Sequence, residues 1–297
     1  MPRSLRTRCF CCVNDGVPPE TTALLRRACR RRSLTYREVE PSTFAFNPRD
    51  RLRPGDLLYR PAISLAAQRI EQFLFTEGVL TFYADPAQIY QECLSPTLVL
   101  ARAGLPIPRT EFCTTNRRTV LRAQATRLGG PPLVVKIPGG SGGVGVMKVD
   151  SLASLFSVVD YLLARREHPL LCTYVPEATH WRVIVVGDRA IAWYRSPVAP
   201  EDFRSYPTGR RADHAVRLSA AARALAVAGA RALRLEFGGV DLLETAAGDT
   251  YLLEVNFPCY FPQAQRHTRT DIAVAMIDHL LAKTPALSDQ PASVRRR

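Results

Sequence analysis

Two apolar runs joined by a short polar turn constrain this chain more than any other feature. Phe237-Gly-Gly-Val-Asp241-Leu-Leu-Glu244 is followed by Tyr251-Leu-Leu-Glu254-Val-Asn256, with Thr245 to Thr250 between them. The pattern reads as a β-hairpin. A register symmetric about Ala247 and Gly248 sets Asp241 directly opposite Glu254, with Asn256 on the same face, because side chains alternate along a strand. Two opposed carboxylates repel each other, and Val240, Leu242, Leu253 and Val255 keep water away from them. Either a cation compensates the pair or the hairpin faces solvent with its acids free. Acids inside such apolar strands favour the cation. Two carboxylates and one amide suit Mg²⁺ or Mn²⁺ that also holds phosphate oxygens.

A second stretch runs Pro132-Leu-Val-Val-Lys136-Ile-Pro-Gly139-Gly140-Ser141-Gly142-Gly143-Val144-Gly145-Val146. Gly140 to Gly145 fits a G-x-G-x-x-G spacing, which any glycine-rich stretch meets easily. A dinucleotide fingerprint needs a helix after the loop, whereas Val144 to Val149 reads as a strand. A Walker loop needs Lys after its last glycine, where Val146 stands. The kinase arrangement puts its lysine downstream, and here Lys136 lies upstream. What remains is strand, glycine flap, strand. Backbone N–H groups of Gly140, Ser141, Gly142 and Gly143 can close on phosphate oxygens, and Lys136 can add a point charge. The bland alternative is a mobile surface hairpin without ligand.

His180 to Arg195 forms a third element, a hairpin with Gly187-Asp188 at its tip. A regular register pairs Arg182 with Trp193 and His180 with Arg195. Both arginines then project from one face, where they repel unless an anion sits between them or each finds a nearby acid.

Upstream of these elements, strands and helices alternate. Arg8 to Val13, Leu34 to Val39, Asp56 to Tyr59 and Val79 to Tyr83 read as strands. Helices are expected over about Glu20 to Arg31, from a Ser64 cap to a stop at Gly78, and over about Pro96 to Ala103. This alternation implies a doubly wound parallel sheet. Further on, Leu133 to Ile137 reads as a strand, Ser151 caps an amphipathic helix, and an Ala-rich helix covers about Ala220 to Leu233.

The net charge of +13 attracts anions: nucleotides, phosphates, acidic peptides or nucleic acid. Lys136, Lys148 and Lys283 are the lysines; every other cationic side chain is an arginine. No apolar run is long enough to span a bilayer, and Cys9 to Val13 is too short for a signal-peptide core, so a cytoplasmic protein is expected. The eight cysteines show no C-x-x-C spacing, which argues against a zinc ribbon or a thioredoxin-like site.

In order and co-occurrence, the lysine, glycine flap, arginine hairpin and D-L-L-E…L-E-V-N motif resemble the ATP-grasp carboxylate–amine ligases, nearest to their RimK-like branch. The resemblance runs from about Leu57 to Pro262. It implies an α/β (α+β) ATP-grasp fold with an N-terminal doubly wound pre-ATP-grasp domain over 1–95. Subdomains over 96–175 and 176–284 and a basic tail over 285–297 follow. It implies ATP and Mg²⁺ (or Mn²⁺) as cofactors, a carboxylate and an amine as substrates, with a peptide or protein among the candidates, and amide formation through an acyl phosphate. Carried over by position, Lys136 is similar to the nucleotide lysine. Thr173, Tyr174 and Val175 stand at the adenine hinge, and Arg204 and Ser205 at a nucleotide-contacting segment. Asp241, Glu254 and Asn256 match the metal ligands, and Arg182 and Arg195 the arginines facing phosphate and acyl phosphate. The sequence departs from the family at Thr173, where an acid is usual, and at His180, Tyr206 and Ser95-Pro96. Two alternatives stay open: an ATP-grasp kinase without amide formation, and a basic nucleic-acid or ribosome-binding protein with a lapsed ATP site. The second draws on Arg30-Arg31-Arg32 and Arg295 to Arg297, but has no matching fold signature.

Overall fold

The computed structural model describes residues 7–91, 93, 95–139, 142–198, 201–206, 210–214 and 216–283. Gly140, Ser141 and the tail over 285–297 therefore lie outside the described residues. In chain order the elements are β1 (Cys9–Val13), α1 (Pro19–Arg31), β2 (Thr35–Val39), β3 (Leu57–Tyr59), α2 (Leu65–Leu74) and α3 (Pro96–Arg102). Next come β4 (Thr110–Phe112), α4 (Arg118–Arg127), β5 (Leu133–Lys136), β6 (Val146–Val149), α5 (Leu152–Ala164) and β7 (Leu170–Thr173). The last group is β8 (Thr179–Val186), β9 (Arg189–Arg195), α6 (Arg211–His214), α7 (Ala220–Ala232), β10 (Phe237–Glu244), β11 (Thr250–Asn256), α8 (Pro262–His267) and α9 (Ile272–Ala282).

Three sheets organise the described residues. The first, ordered β2-β1-β3, is parallel. Its central strand is apolar throughout because both faces are covered. Phe10 and Cys12 pack with Leu25 and Cys29 of α1, while Cys11 and Val13 pack with Ala67, Ile70 and Leu74 of α2. This is the doubly wound arrangement expected from the alternation. The expected strand at Val79–Tyr83 breaks into two isolated bridges, Leu80 parallel to Leu57 and Tyr83 antiparallel to Leu235. Beyond Leu80 the backbone turns to residues 234–236: the Glu236 N–H donates to the Phe82 carbonyl and the Ala84 N–H to that of Arg234. These bonds satisfy the groups that a longer sheet strand would use. Ser64 caps α2 as expected, but the helix ends at Leu74 rather than at Gly78. Gly78 instead serves a left-handed turn (φ +84°) where an added Cβ would stand 2.9 Å from that of Pro54.

The second sheet is antiparallel, ordered β4-β7-β5-β6, and backed by α4 and α5 through Leu121, Leu155 and Val159. Ser151 and Ser154 form a reciprocal capping box at the start of α5, a device that stabilises a helix by about 1 kcal/mol. The third sheet is ordered β11-β10-β8-β9. One face packs on α7 through Val183, Val185, Val240 and Leu242. The other carries Ile184, Val186, Tyr194 and Phe237 into a core shared with α1, α8 and α9. Among the described residues, no helix is long and apolar enough to cross a membrane.

Candidate active site

Register builds the site. Asp241 on β10 pairs with Glu254 on β11 and with Arg182 on β8, and Arg182 pairs with Tyr194 on β9. Directly paired residues share a face, so Glu254, Asp241, Arg182 and Tyr194 form one row across all four strands. Asn256 stands on the same face. Its Nδ2 donates to Asp241 Oδ2 at 3.1 Å and to Glu254 Oε1 at 2.9 Å. Arg182 grips Asp241 with two bonds, Nε to Oδ1 at 2.5 Å and Nη2 to Oδ2 at 3.0 Å.

The opposed acids thus meet as expected, and the protein supplies its own compensating donors, a guanidinium and an amide. Burial pushes the Asp241 carboxyl up to about 7; Arg182 pulls it down, and the neighbouring Glu254 charge pushes it further up. Burial also works against ionised Glu254, but bonds from Asp241 and Asn256 and the charges of Lys136 and Arg182 hold its pKa below the usual range. The two acids titrate as a coupled pair that retains one proton toward neutrality. Burial disfavours a charged Arg182, yet Asp241 keeps its pKa above the ordinary value. Cys259, next to the row, is buried, and burial pushes its thiol up to about 12.

Arg195 requires a correction. A bulge in the β8–β9 hairpin, between Ile184 and Val185, leaves Ile191 as an extra residue, so Ile184 pairs with Ala192 and Val185 with Ala190. The shift pairs Arg195 with Trp181 and Val183 with Trp193. Arg195 therefore lies on the opposite face from Arg182, and the two do not converge on one anion.

Lys136 closes β5, at the edge of the glycine flap. Its charge acts on Glu254 and, together with burial, lowers the pKa of His180. The end of the second sheet at this lysine therefore lies within electrostatic reach of the third. Over the flap, Arg204 Nη1 donates to the Gly143 carbonyl at 3.1 Å while its guanidinium pairs with Asp202. Those bonds bring the Asp202 carboxyl down to about 2. Gly142 and Gly143 both take left-handed backbone conformations, and a Cβ on Gly143 would meet Arg204 Cδ at 3.2 Å. Ser205 bridges to Val198 beside it.

At the expected hinge, the Thr173 N–H donates to the Arg109 carbonyl and its hydroxyl to the Leu128 carbonyl. Its backbone donor and side chain are thus already engaged. Tyr174 follows, half-buried, with the Lys148 ammonium 5.1 Å from its ring centroid and Phe203 edge-on at 6.5 Å. Val175 continues the same strip. Lys148 also pairs with Asp150 at 2.9 Å.

Gly239 is a contributor that the sequence reading passed over. A Cβ there would stand 2.7 Å from Arg182 Nη1 and 3.0 Å from Cys259 Cβ. Only glycine lets the guanidinium lie across the strand onto Asp241. The signal was present, since glycines inside a strand mark close approach of another group.

Among the described residues, no three or more of His, Cys, Asp and Glu gather to hold a metal. A site at the row would rest on two carboxylates and the Asn256 amide. That oxygen-rich set fits a hard divalent cation. The Asn256 amide already bridges the two acids, and turning it over would present its oxygen instead.

The RimK-like ATP-grasp domain family matches residues 91–280. A probable alpha-L-glutamate ligase of Serratia proteamaculans (strain 568) is 33% identical over 184 residues, covering 61% of this chain and 60% of the relative. One of Haemophilus ducreyi (strain 35000HP / ATCC 700724) is 33% identical over 215 residues, covering 72% of this chain and 69% of the relative. The solved ATP-grasp ligase PsnB, complexed with minimal precursor, Mg and ADP, superposes with a TM-score of 0.68 at 18% identity, covering 95% of this chain and 100% of that one. With the matched segment containing both Lys136 and the Glu254–Asp241–Arg182 row, this chain belongs to the RimK-like ATP-grasp family.

Proposed function

We propose that the protein is an ATP-dependent carboxylate–amine ligase that works through an acyl phosphate and releases ADP and phosphate. One observation carries the reading: Lys136 and Arg182 bring positive charge from two different sheets to one pair of opposed carboxylates. Such a centre suits phosphoryl transfer, which needs positioning and charge neutralisation more than a protein nucleophile. Asp241, Glu254 and Asn256 would hold Mg²⁺ (or Mn²⁺), whose chemistry there is to neutralise phosphate oxygens.

In this reading the substrate carboxylate attacks the γ-phosphorus, and the P–O bond to ADP breaks. The amine then attacks the acyl carbon, loses a proton and expels phosphate. Lys136 and Arg182 bind the anionic oxygens, and Arg195 takes no part. The flap, clasped through the Arg204–Gly143 bond, keeps water from the acyl phosphate. Tyr174 and Val175 line the adenine side, while Thr173 fixes the strip. Residues 1–95 act as the pre-ATP-grasp portion, with 96–175 and 176–284 closing on the nucleotide. The relatives named alpha-L-glutamate ligases and the precursor-bound PsnB structure support an amine or carboxylate substrate that includes amino acids or peptides.

The test is ADP release with Mg²⁺ across panels of carboxylates and amines, with products identified by mass. Turnover that needs both partners and yields an amide supports the reading. ADP release with a phosphorylated product and no amine requirement would establish a kinase instead.

A further inference from the structure

Beside the reaction centre lies a second group of cationic side chains that the mechanism above leaves unused. A cavity of about 360 Å³ runs along the free edge of β9, between α6 and the segment after α8. Trp193, Arg211, His214, His267, Arg269 and Thr270 line it, and none of the described residues that line it is acidic. Its walls are fixed: Thr270 Oγ1 donates to the Ile191 carbonyl at 3.1 Å, and Trp193 Nε1 to that of Val216 at 2.9 Å.

His214 is the feature that the fold leaves unexplained. It is 7% exposed, and among the described residues neither ring nitrogen has a hydrogen-bond partner. Its ring lies between Tyr194, at 4.7 Å, and His267, stacked at 4.6 Å. A buried imidazole without partners costs stability, so its retention points to an acceptor that arrives with a ligand. Arg211 and Arg269 are exposed and make no ion pair or hydrogen bond among the described residues. Asp213 is the acid that acts on His214, from its own turn, and His267 acts on it from α8.

The cavity is also placed to matter. Tyr194 packs on His214 with its ring and pairs in register with Arg182. Tyr194, the end of the row, therefore stands between His214 and Arg182.

We propose that this cavity is a docking subsite for a carboxylate of the substrate, separate from the carboxylate that reacts. The inference rests on the ligase reading and deepens it: the substrate carries a second anionic group. Guanidinium forks at Arg211 and Arg269 suit a planar carboxylate, and the bound oxygens give the His214 imidazole the acceptor it lacks. Nucleotide phosphates already have their cations at Lys136 and Arg182, on the other side of Tyr194.

Imidazole NMR of the full chain at constant ionic strength tests this, with glutarate as the probe and neutral glutaramide as its control. The His214 and His267 signals are assigned by His214→Phe and His267→Phe. Glutarate is expected to shift both signals saturably, and glutaramide to leave them unmoved. The Arg211→Ala/Arg269→Ala double variant alters only exposed side chains, so folding is retained. It should weaken glutarate binding about tenfold or more, with Mg–ADP binding unchanged. Absence of a glutarate shift, a shift that survives in the double variant, or binding of inorganic phosphate in preference to glutarate would overturn the subsite. Glutarate binding in a wild-type protein that does not bind Mg–ADP would uphold the carboxylate site and sink the ligase reading, so the two failures are distinguishable.

Discussion

Replacing Glu254 with Gln removes one of two opposed charges while keeping the side chain's shape. Asn256 Nδ2 lies 3.1 Å from Asp241 Oδ2 and 2.9 Å from Glu254 Oε1, which keeps those oxygens within about 6 Å of each other. Two unit charges about 5 Å apart at an effective dielectric of about 20 repel by about 3 kcal/mol. The amide between them and the solvent beside exposed Glu254 reduce this, leaving an expected relief of about 1–2 kcal/mol. For a chain of this size that is a rise of roughly 1.5–3 °C in the unfolding midpoint. The pH dependence follows from the raised pKa of Asp241. The folded wild type holds a proton up to about 7 that the unfolded chain releases near the ordinary value of 3.8. Wild-type stability therefore falls as pH rises through that window. Glu254→Gln should flatten the fall, with its advantage full at pH 8 and absent at pH 5. Thermal unfolding in chelator at both pH values measures this, and a repeat with Mg–ADP should stabilise wild type more than the variant. A lower midpoint for the variant at pH 8, or an equal gain at both pH values, would refute the argument.

Four further outcomes follow from the same row and its surroundings. Asp241→Asn should lower the midpoint instead, because half-buried Arg182 loses its ionic partner; the expected cost is about 2 kcal/mol, read by urea unfolding. Lys136→Ala should weaken Mg–ADP binding in calorimetry more than Lys148→Ala, which loses an ion pair with Asp150 and a contact with Tyr174; equal losses would mean that Lys136 does not face the nucleotide. Arg182→Ala should abolish ADP release, whereas Arg195→Ala, on the other face, should keep most of it in the same assay. Gly239→Ala should push Arg182 off Asp241, cost about 1–3 kcal/mol on unfolding and lower turnover.

The hairpin carrying the acids was legible as a hairpin, but its turn did not set the register at Asp241: beside the turn Glu244 pairs with Thr250 and Leu242 with Leu252, one residue off the symmetric register, and the irregularity between Leu242 and Asp241 restores the expected pairing with Glu254. The β8–β9 hairpin was legible as a hairpin but not in register. The bulge leaves Ile191 unpaired beside apolar neighbours, and nothing in the local composition marks it. Strands β4 and β7 escaped notice because they are short and take their order from the sheet they complete. Thr110–Phe112 has no periodicity until Leu170–Thr173 lies beside it. Helix α4 carries arginines along most of its length, with only Leu121, Gln124 and Ala125 buried, so its apolar stripe is thin. Val79–Tyr83 failed in the other direction. It has strand composition, but its backbone partners are divided between Leu57 and residues 234–236. The cavity beside β9 depends on residues from β9, α6 and the turn after α8, and no contiguous motif could announce it.

The shared core of α1 and α9 bears on how this chain can be divided. Ile272, Met276, Ile277 and Leu280 of α9 are fully buried among Phe10, Leu25 and Cys29, and Arg31–Asp271 and Arg32–Asp278 pairs border the contact. The segment that matches the family ends within α9. A gene fragment starting at residue 91 would thus carry a helix whose cover has been left behind, and its bare apolar face would drive aggregation. Supplied as a separate polypeptide, the first ninety residues should rescue that fragment by docking onto α9. The unit that recombination can move intact is therefore larger than the unit that sequence comparison outlines.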